Sequence, residues 1–408
     1  MVDLKKIING IDVAFFLAIK NLFFKKKMLI MIIIIIGLGF LSTTFSSSVI
    51  NGLKYTIEDK AINSMIGNVL IEPKSDEVYL TNSDEIIKKA LAIPGVVAAS
   101  PHIIRGITLI DKHGTTVSAQ LKVIDPDKEA QTTVIDNNII AGKYLSSGVT
   151  GEILIGSDLT KKYRSQEALP AVDVDAGEKI TIVFDNSLTK EMKVRGIYSF
   201  DFTASDVFVY VTKEEARQIF NLTDEQLNYA SEILIKTRER GVEDDVVYAL
   251  KSFNVNGRIW PWQKKLGILN EFTDSLLIVS KLTALIGIII AFATVYIMIY
   301  INVMQKRTQI GIMKAIGINR ETILTSYIIQ SFAYGLMGGL FGVFLTKMVM
   351  GYFTLHPIAM PMGDVTPIIN TITYVYSFLI LMISSLIAGY FASYGIIKDE
   401  ILEAIFKG

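Results

Sequence analysis

The sequence predicts an α-helical membrane protein with four transmembrane helices and a large extracytoplasmic α+β domain inserted between the first and second. Three observations predict it. Hydrophobic residues make up 51% of the chain and the longest apolar runs are Ile-rich, a pairing that soluble domains rarely show. Four such runs approach or exceed the ~20 residues a helix needs to cross roughly 30 Å of hydrocarbon. Between the first two runs, residues 51–273 carry the alternating patterns and turn signals of a folded domain.

The 408 residues have no formal net charge and no cysteine. A neutral chain is a poor general binder of polyanions, so nucleic acid is not an expected partner. Without cysteine there are no disulfides, no thiolate–zinc sites and no thiol catalysis.

The first run, "MLIMIIIIIGLGFLSTTFSSSVI", covers Met28 to Ile50 and has 14 unbroken apolar or Gly residues before Ser and Thr appear. A cleaved signal peptide is the competing reading. The 27 residues ahead of it are long for a signal, and they include "IDVAFFLAIKNLFF", which reads as an apolar helix on the membrane surface. An uncleaved anchor is the better reading. The other runs are "LTALIGIIIAFATVYIMIYINV" (Leu282 to Val303), Tyr327 to Met350 and Tyr374 to Ile397.

Flanking charge orients the spans. Lys5, Lys6, Lys20, Lys25, Lys26 and Lys27 precede the first. Lys306, Arg307, Lys314 and Arg320 lie between the second and third, and Lys398 and Lys407 follow the fourth. The connector from Gly351 to Thr373 holds no Lys or Arg. By the positive-inside rule both termini and the 304–322 connector face the cytoplasm, and the chain sits in the cell (inner) membrane. The expected division is a cytoplasmic amphipathic segment 1–27, spans at 28–50, 274–303 (with a stalk), 323–350 and 373–397, an outer domain 51–273, a cytoplasmic connector 304–322, an outer loop 351–372 and a tail 398–408.

Within the outer domain, "IIRGITLIDKHGTTVSAQLKVID" reads as two strands about a turn at Lys112-His113-Gly114. "KITIVFDN" and "EMKVRGIYSF" alternate as strands do, and "DVFVYVTKEEARQIF" passes from strand to helix at Thr212. "SDEIIKKALAIPGVVAASPHII" and "GVEDDVVYALKSFNVNGRIW" share a helix-then-strand plan with a polar cap and acidic first turn. They predict a repeated β-α-β element with roughly 125–215 inserted between its halves.

Chemistry is sparse. His102, His113 and His356 are too scattered for a metal motif and read as packed or solvated. Asp173 and Asp175 lack the ligand series of a calcium loop, so a plain turn is expected. Trp260 and Trp262 suit either the membrane interface or packing beneath the domain. Neither Gly-x-Ser-x-Gly nor His-Glu-x-x-His occurs. Lys281 and Lys347 sit at span ends, and no charge lies mid-span, where it would cost about 2.5–3.5 kcal/mol. That counts against a secondary transporter. Gly335 and Gly339, and Gly338 and Gly342, form small-residue pairs that admit a neighbouring helix, either within the chain or from a second subunit.

The connector "QKRTQIGIMKAIGINRE" is helix-patterned. Ile310, Met313 and Gly317 fall near one face, while Ile312, Ala315 and Ile316 make the adjoining one. Gly317 suits a helix stop, Asn319 a cap for the next helix, and Glu321 its positive end. It reads either as a helix lying on the bilayer or as a knob docked into a soluble partner.

"QKRTQIGIMKAIG" resembles the Glu-(Lys/Arg)-x-x-Glu-Ile-Gly-x-x-(Lys/Arg)-Ala-(Ile/Leu)-Gly signature of ABC-type permeases of the MacB, LolC/LolE and FtsX group. "LAIKNLFFKKKMLIMIIIIIGLG" is similar to their first span, and "IDPDKEAQTTVIDNNIIAGKYLSSGVTGEILIGSDLTKKY" to their outer domain, above all that of the lipoprotein-releasing permeases. The resemblance runs over nearly the whole chain. It implies a MacB-like periplasmic core between the first and second spans, and a coupling helix at 306–317 seated in a groove of a separate cytoplasmic ABC ATPase. It implies a second permease chain and mechanotransmission of ATP hydrolysis to the outer domain for export or extraction of lipid-linked, peptide or drug-like cargo. Ile310, Gly311, Met313, Lys314, Ala315 and Gly317 match the signature. Gln305 and Gln309 depart from it where acids are usual. No phosphate-binding Gly-x-x-x-x-Gly-Lys-(Ser/Thr) occurs, so ATP and Mg would be held by the ATPase, leaving this chain a non-catalytic subunit without a cofactor. Replacing Met313 with Glu should release that ATPase. The alternative is an FtsX-like signalling subunit that regulates an enzyme outside the cell.

Overall fold

The computed structural model describes residues 4–24, 26–360 and 363–397; Lys25, Lys398, Lys407 and the tail 398–408 lie outside the described residues. Helices α1 (Leu4–Phe24) and α2 (Lys26–Ala61) come first, and a π turn at Ile62–Ile66 leads into β1 (Val69–Glu72). Then follow α3 (Ser83–Leu91), β2 (Val96–Ile110), β3 (Thr116–Ile124), α4 (Pro126–Thr133), β4 (Ile139–Gly142) and β5 (Glu152–Gly156). Next are β6 (Lys179–Phe184), β7 (Thr189–Tyr198), β8 (Phe208–Thr212), α5 (Lys213–Phe220), α6 (Asp224–Leu227) and β9 (Glu232–Thr237). The chain closes with α7 (Glu243–Ser252), β10 (Arg258–Pro261), α8 (Trp262–Lys265), α9 (Gly267–Gln305), α10 (Arg307–Ala315), α11 (Arg320–Leu355) and α12 (Thr371–Ile397).

Two compact units result. One comprises residues 1–53, 273–358 and 366–408; the other comprises 54–272 with 359–365. Among the described residues four helices are long and apolar enough to cross a membrane, within Lys26–Ile66, Glu271–Gln305, Arg320–Leu355 and Thr371–Tyr394. The helix expected over 28–50 extends well past Ile50. Its polar run does not end it, because Thr43 and Thr44 donate to Phe40 O and Ser48 donates to Thr44 O, so the hydroxyls turn back onto the helix itself.

The second unit has two lobes. In one, the strand order β10-β1-β9-β2 interleaves two split β-α-β elements: β1-α3-β2 with β9 between its strands, and β9-α7-β10 with β1 between. This is the repeat expected from the two helix-then-strand stretches. Helices α3 and α7 cover one face through Ile86, Ile87, Val246 and Leu250, packed on Val69, Ile71, Ile233 and Ile235. Their caps are not local as expected. Neither Asn82 nor Val242 makes a side-chain cap; Asn228 Oδ1 instead accepts from Ser83 Oγ and from the Asp84 amide.

The inserted lobe is a closed ring of strands. β2 pairs with β3, β3 with β8, β8 with β5, β5 with β7, β7 with β6 and β6 with β2 again, while β4 adds to β7. Closure leaves the ring without a free edge. Alternate side chains such as Ile107, Leu121, Ile155, Ile182 and Val209 fill the core. Thr212 caps α5 by accepting from the Glu215 amide, as the sequence predicts. Trp262 packs into the domain and donates from Nε1 to Glu243 Oε1 at 3.1 Å, so it is a core residue, not an interface marker.

Candidate functional site

The connector between the second and third long helices is a separate helix. At Lys306 the backbone leaves helical geometry (φ −103, ψ 11), yet its amide still donates to Asn302 O and Val303 O, so few hydrogen bonds are lost. Helix α10 then runs nine residues and stops sharply. Gly317 takes φ +94, its amide donates to Lys314 O, and the Ile318 amide donates to Met313 O. That is the Schellman arrangement, in which a residue without Cβ occupies the left-handed position. Asn319 precedes α11 in extended conformation and makes no side-chain cap, contrary to expectation; the Ile323 amide finds the Asn319 carbonyl instead.

The six residues carried over from the signature do not share a face. Ile310, only 2% exposed, and Gly311 point into the helical bundle, where Ile310 joins Leu22, Val303 and Ile323. Met313 is half-buried against the same cluster, as is Ile318, which closes the helix stop with an apolar contact. Lys314 is half-buried. Ala315 and Gly317 are exposed. In this structure Ile310 and Gly311 therefore anchor the helix and are unavailable to a partner; Met313 is largely an anchor too. The outward face consists of Thr308, Gln309, Ile312, Ala315 and Ile316, spaced i, i+1, i+4, i+7 and i+8. Ile312 is 53% exposed and Ile316 72% exposed, an apolar pair on an otherwise polar connector. The sequence signal for them was the second apolar face, which a one-sided helix would not need.

Around this anchor the bundle is tightly registered. Lys306 Nζ donates to Asn21 Oδ1 on α1. In the last turn of α9, Asn302 Nδ2 reaches Tyr334 OH on α11 at 3.4 Å, and Gln330 Nε2 donates to the same hydroxyl at 2.7 Å. Four of the five glycines of α11 serve two neighbours within the chain. A Cβ at Gly338 would fall 2.6 Å from Ile36 Cγ2 and one at Gly342 2.8 Å from Phe40 Cβ, both on α2. One at Gly335 would fall 2.6 Å from Ser385 Oγ and one at Gly339 2.6 Å from Phe378 Cε2, both on α12. Both small-residue pairs thus pack against helices of the same chain. Thr44 and Thr346 add a 3.1 Å hydrogen bond between α2 and α11.

No group of three or more His, Cys, Asp or Glu able to hold a metal ion occurs among the described residues. Asp175 is engaged by Lys162, Tyr163 and the Ala176 amide, as in a plain turn.

The class is now defined: four helices long and apolar enough to cross a membrane with a packed connector helix among them, and a two-lobed α+β domain interrupting the series. Residues 28–252 match the MacB-like periplasmic core domain and residues 281–401 the FtsX-like permease C-terminal domain. The chain belongs to the MacB/LolC–LolE/FtsX-like family of ABC transporter permeases. It is 21% identical, over 79% of its length and 78% of the relative's, to the lipoprotein-releasing system transmembrane protein LolC of Buchnera aphidicola subsp. Schizaphis graminum. Among solved structures it is similar to the periplasmic region of MacB from Actinobacillus actinomycetemcomitans, at 11% identity and TM-score 0.35, covering 50% of this chain and 91% of that one. It is also similar to the extracellular domain of YknZ from Gram-positive bacteria, at 12% identity and TM-score 0.32, covering 47% and 96%.

Proposed function

We propose that this chain is the permease subunit of an ATP-driven transporter that extracts or exports a lipid-linked cargo. The outward face of α10 is its grip on a separate cytoplasmic ABC ATPase. Both termini and the 304–322 connector face the cytoplasm, and residues 51–273 and 351–372 lie outside. A second permease chain completes the complex, and ATP and Mg belong to the ATPase. The similarity to a lipoprotein-releasing protein supports lipid-linked cargo over a soluble one.

One observation carries the reading: α10 exposes Gln309, Ile312, Ala315 and Ile316 on a helix whose other face is locked into the bundle through Ile310 and Gly311. A partner pushing on that face moves the ends of α9 and α11 with it, because the helix cannot roll independently. The face is mainly apolar, so its grip rests on buried area, with Gln309 supplying a hydrogen bond where an acid would supply an ion pair.

Ile316→Glu puts a charge where the partner must desolvate it, while the chain's own packing is untouched. A hot-spot loss of about 2 kcal/mol, roughly thirtyfold in affinity, is expected. Co-purification of the ATPase should fall accordingly with membrane insertion unchanged. ATPase recovery equal to the parent's would refute the assignment. Met313→Glu is a poorer test, since it also charges the bundle contact.

A further inference from the structure

Strand β2 changes partners at its middle: Val96 to His102 pair with β9, and Ile103 to Ile110 pair with β3. His102 sits at that changeover, where the two lobes of the outer unit meet, and its side chain is 1% exposed. Both ring nitrogens face carboxylates. Nε2 lies 2.6 Å from Glu129 Oε2 on α4, and Nδ1 lies 2.9 Å from Glu232 Oε1 on β9. A neutral imidazole has one N–H and one lone pair, so it would set a lone pair against one of the carboxylates. Only the imidazolium donates to both.

The surroundings complete the cluster. Lys122 Nζ, on β3, donates to Glu232 Oε1 at 2.9 Å, and the Phe208 ring of β8 lies 4.4 Å from that nitrogen. Ser100 Oγ and Thr133 Oγ1 donate to the two oxygens of Glu129 at 2.5 and 2.9 Å. Tyr144, Tyr198 and, on β8, Tyr210 feel the Glu129 charge as well, and burial pushes all three phenols up, so they stay neutral. With His102 charged, two cations balance two anions in a dry site. Without its proton, the site holds a net buried anion and a broken hydrogen bond.

We propose that His102 is a proton-operated pin between the two lobes, closed while the ring is charged and released when it loses its proton. Burial opposes the charge on the ring, but the Glu129 and Glu232 carboxylates outweigh it and raise the His102 pKa. Burial likewise opposes ionisation of Glu232, yet Lys122 and His102 hold it down at about 2, and His102 lowers Glu129. A raised pKa in the folded state means that the stabilisation is fully present below the ordinary histidine value of about 6.5 and disappears as pH climbs through the raised value. The pin therefore holds at mildly acidic pH and opens on the alkaline side of the raised value. It stands independently of the coupling role given to α10.

Among the three histidines only His102 is buried; His113, 61% exposed beside Asp173, and His356 are solvent-facing, so the three rings are readily told apart. Hydrogen–deuterium exchange at imidazole Cε1, read by mass spectrometry on the full chain in lipid nanodiscs across pH 5–10, gives each ring's titration. The His102 midpoint should lie above the ordinary histidine value of about 6.5. Amide exchange in β2 around residues 99–104 and in α4, corrected for the intrinsic base-catalysed rate, should accelerate above that midpoint. Glu129→Gln, close in shape, should move the His102 midpoint down. A His102 midpoint at or below about 6.5, or corrected amide exchange indifferent to pH, would overturn the proposal from the parent protein alone, whether or not the variant folds.

Discussion

Ile310 and Ile316 are two turns of argument on one short helix: the same side chain, six residues apart, with opposite surroundings. Ile310→Ala should cost about 2–5 kcal/mol, because it opens a cavity in the bundle. Ile316→Ala should stay within about 0.5 kcal/mol. Thermal unfolding in detergent separates them, and equal shifts would mean that α10 is not packed as described. The residues matching the family signature were legible in the sequence, but their directions were not. A signature records which side chains recur, whereas burial of Ile310 and Gly311 depends on Leu22 and Ile323 arriving from other helices. Likewise His102 read only as a packed or solvated ring, and its partners were not legible, since Glu129 and Glu232 stand 27 and 130 residues away along the chain.

At the level of elements, periodicity predicted most of the structure. The β2–β3 hairpin, the β6 and β7 strands, the passage into α5 at Thr212 and the stop at Gly317 were all readable, because each depends on local spacing or one local residue. Ring closure through β6 was not, since pairing with both β2 and β7 leaves no mark on its own alternation. Nor was the length of α2, which runs through its hydroxyl run and past the expected end at Ile50 to Ala61. Two predictions belong here. Gly317→Val forces a β-branched residue into left-handed geometry at a cost of about 1–2 kcal/mol, and should raise amide exchange at Ile316–Ile318. Unaltered exchange there would argue against the helix stop. Gly338→Leu drives a side chain into Ile36 and should destabilise by about 1–3 kcal/mol, while Gly351→Leu, with nothing within 4 Å, should not lower the melting temperature. Equal melting of these two variants would contradict the packing of α2 against α11.

For the whole molecule, family membership explains why so little of the chain looks catalytic. The ordered side chains serve packing, closure and registration: glycines that seat α2 and α12 on α11, a ring that hides its edges, and a connector fixed on one face and open on the other. On the proposed function, in which the subunit passes force between partners, stiffness along its length and one accessible handle are what it needs. The absence of cysteine makes that handle directly testable. A single Ile316→Cys chain, in inside-out membrane vesicles, can be challenged with a membrane-impermeant maleimide before and after the ABC ATPase is added. The account predicts ready labelling from the cytoplasmic face and protection once the ATPase binds. Labelling only from the opposite face, or labelling that the bound ATPase leaves unchanged, would contradict it.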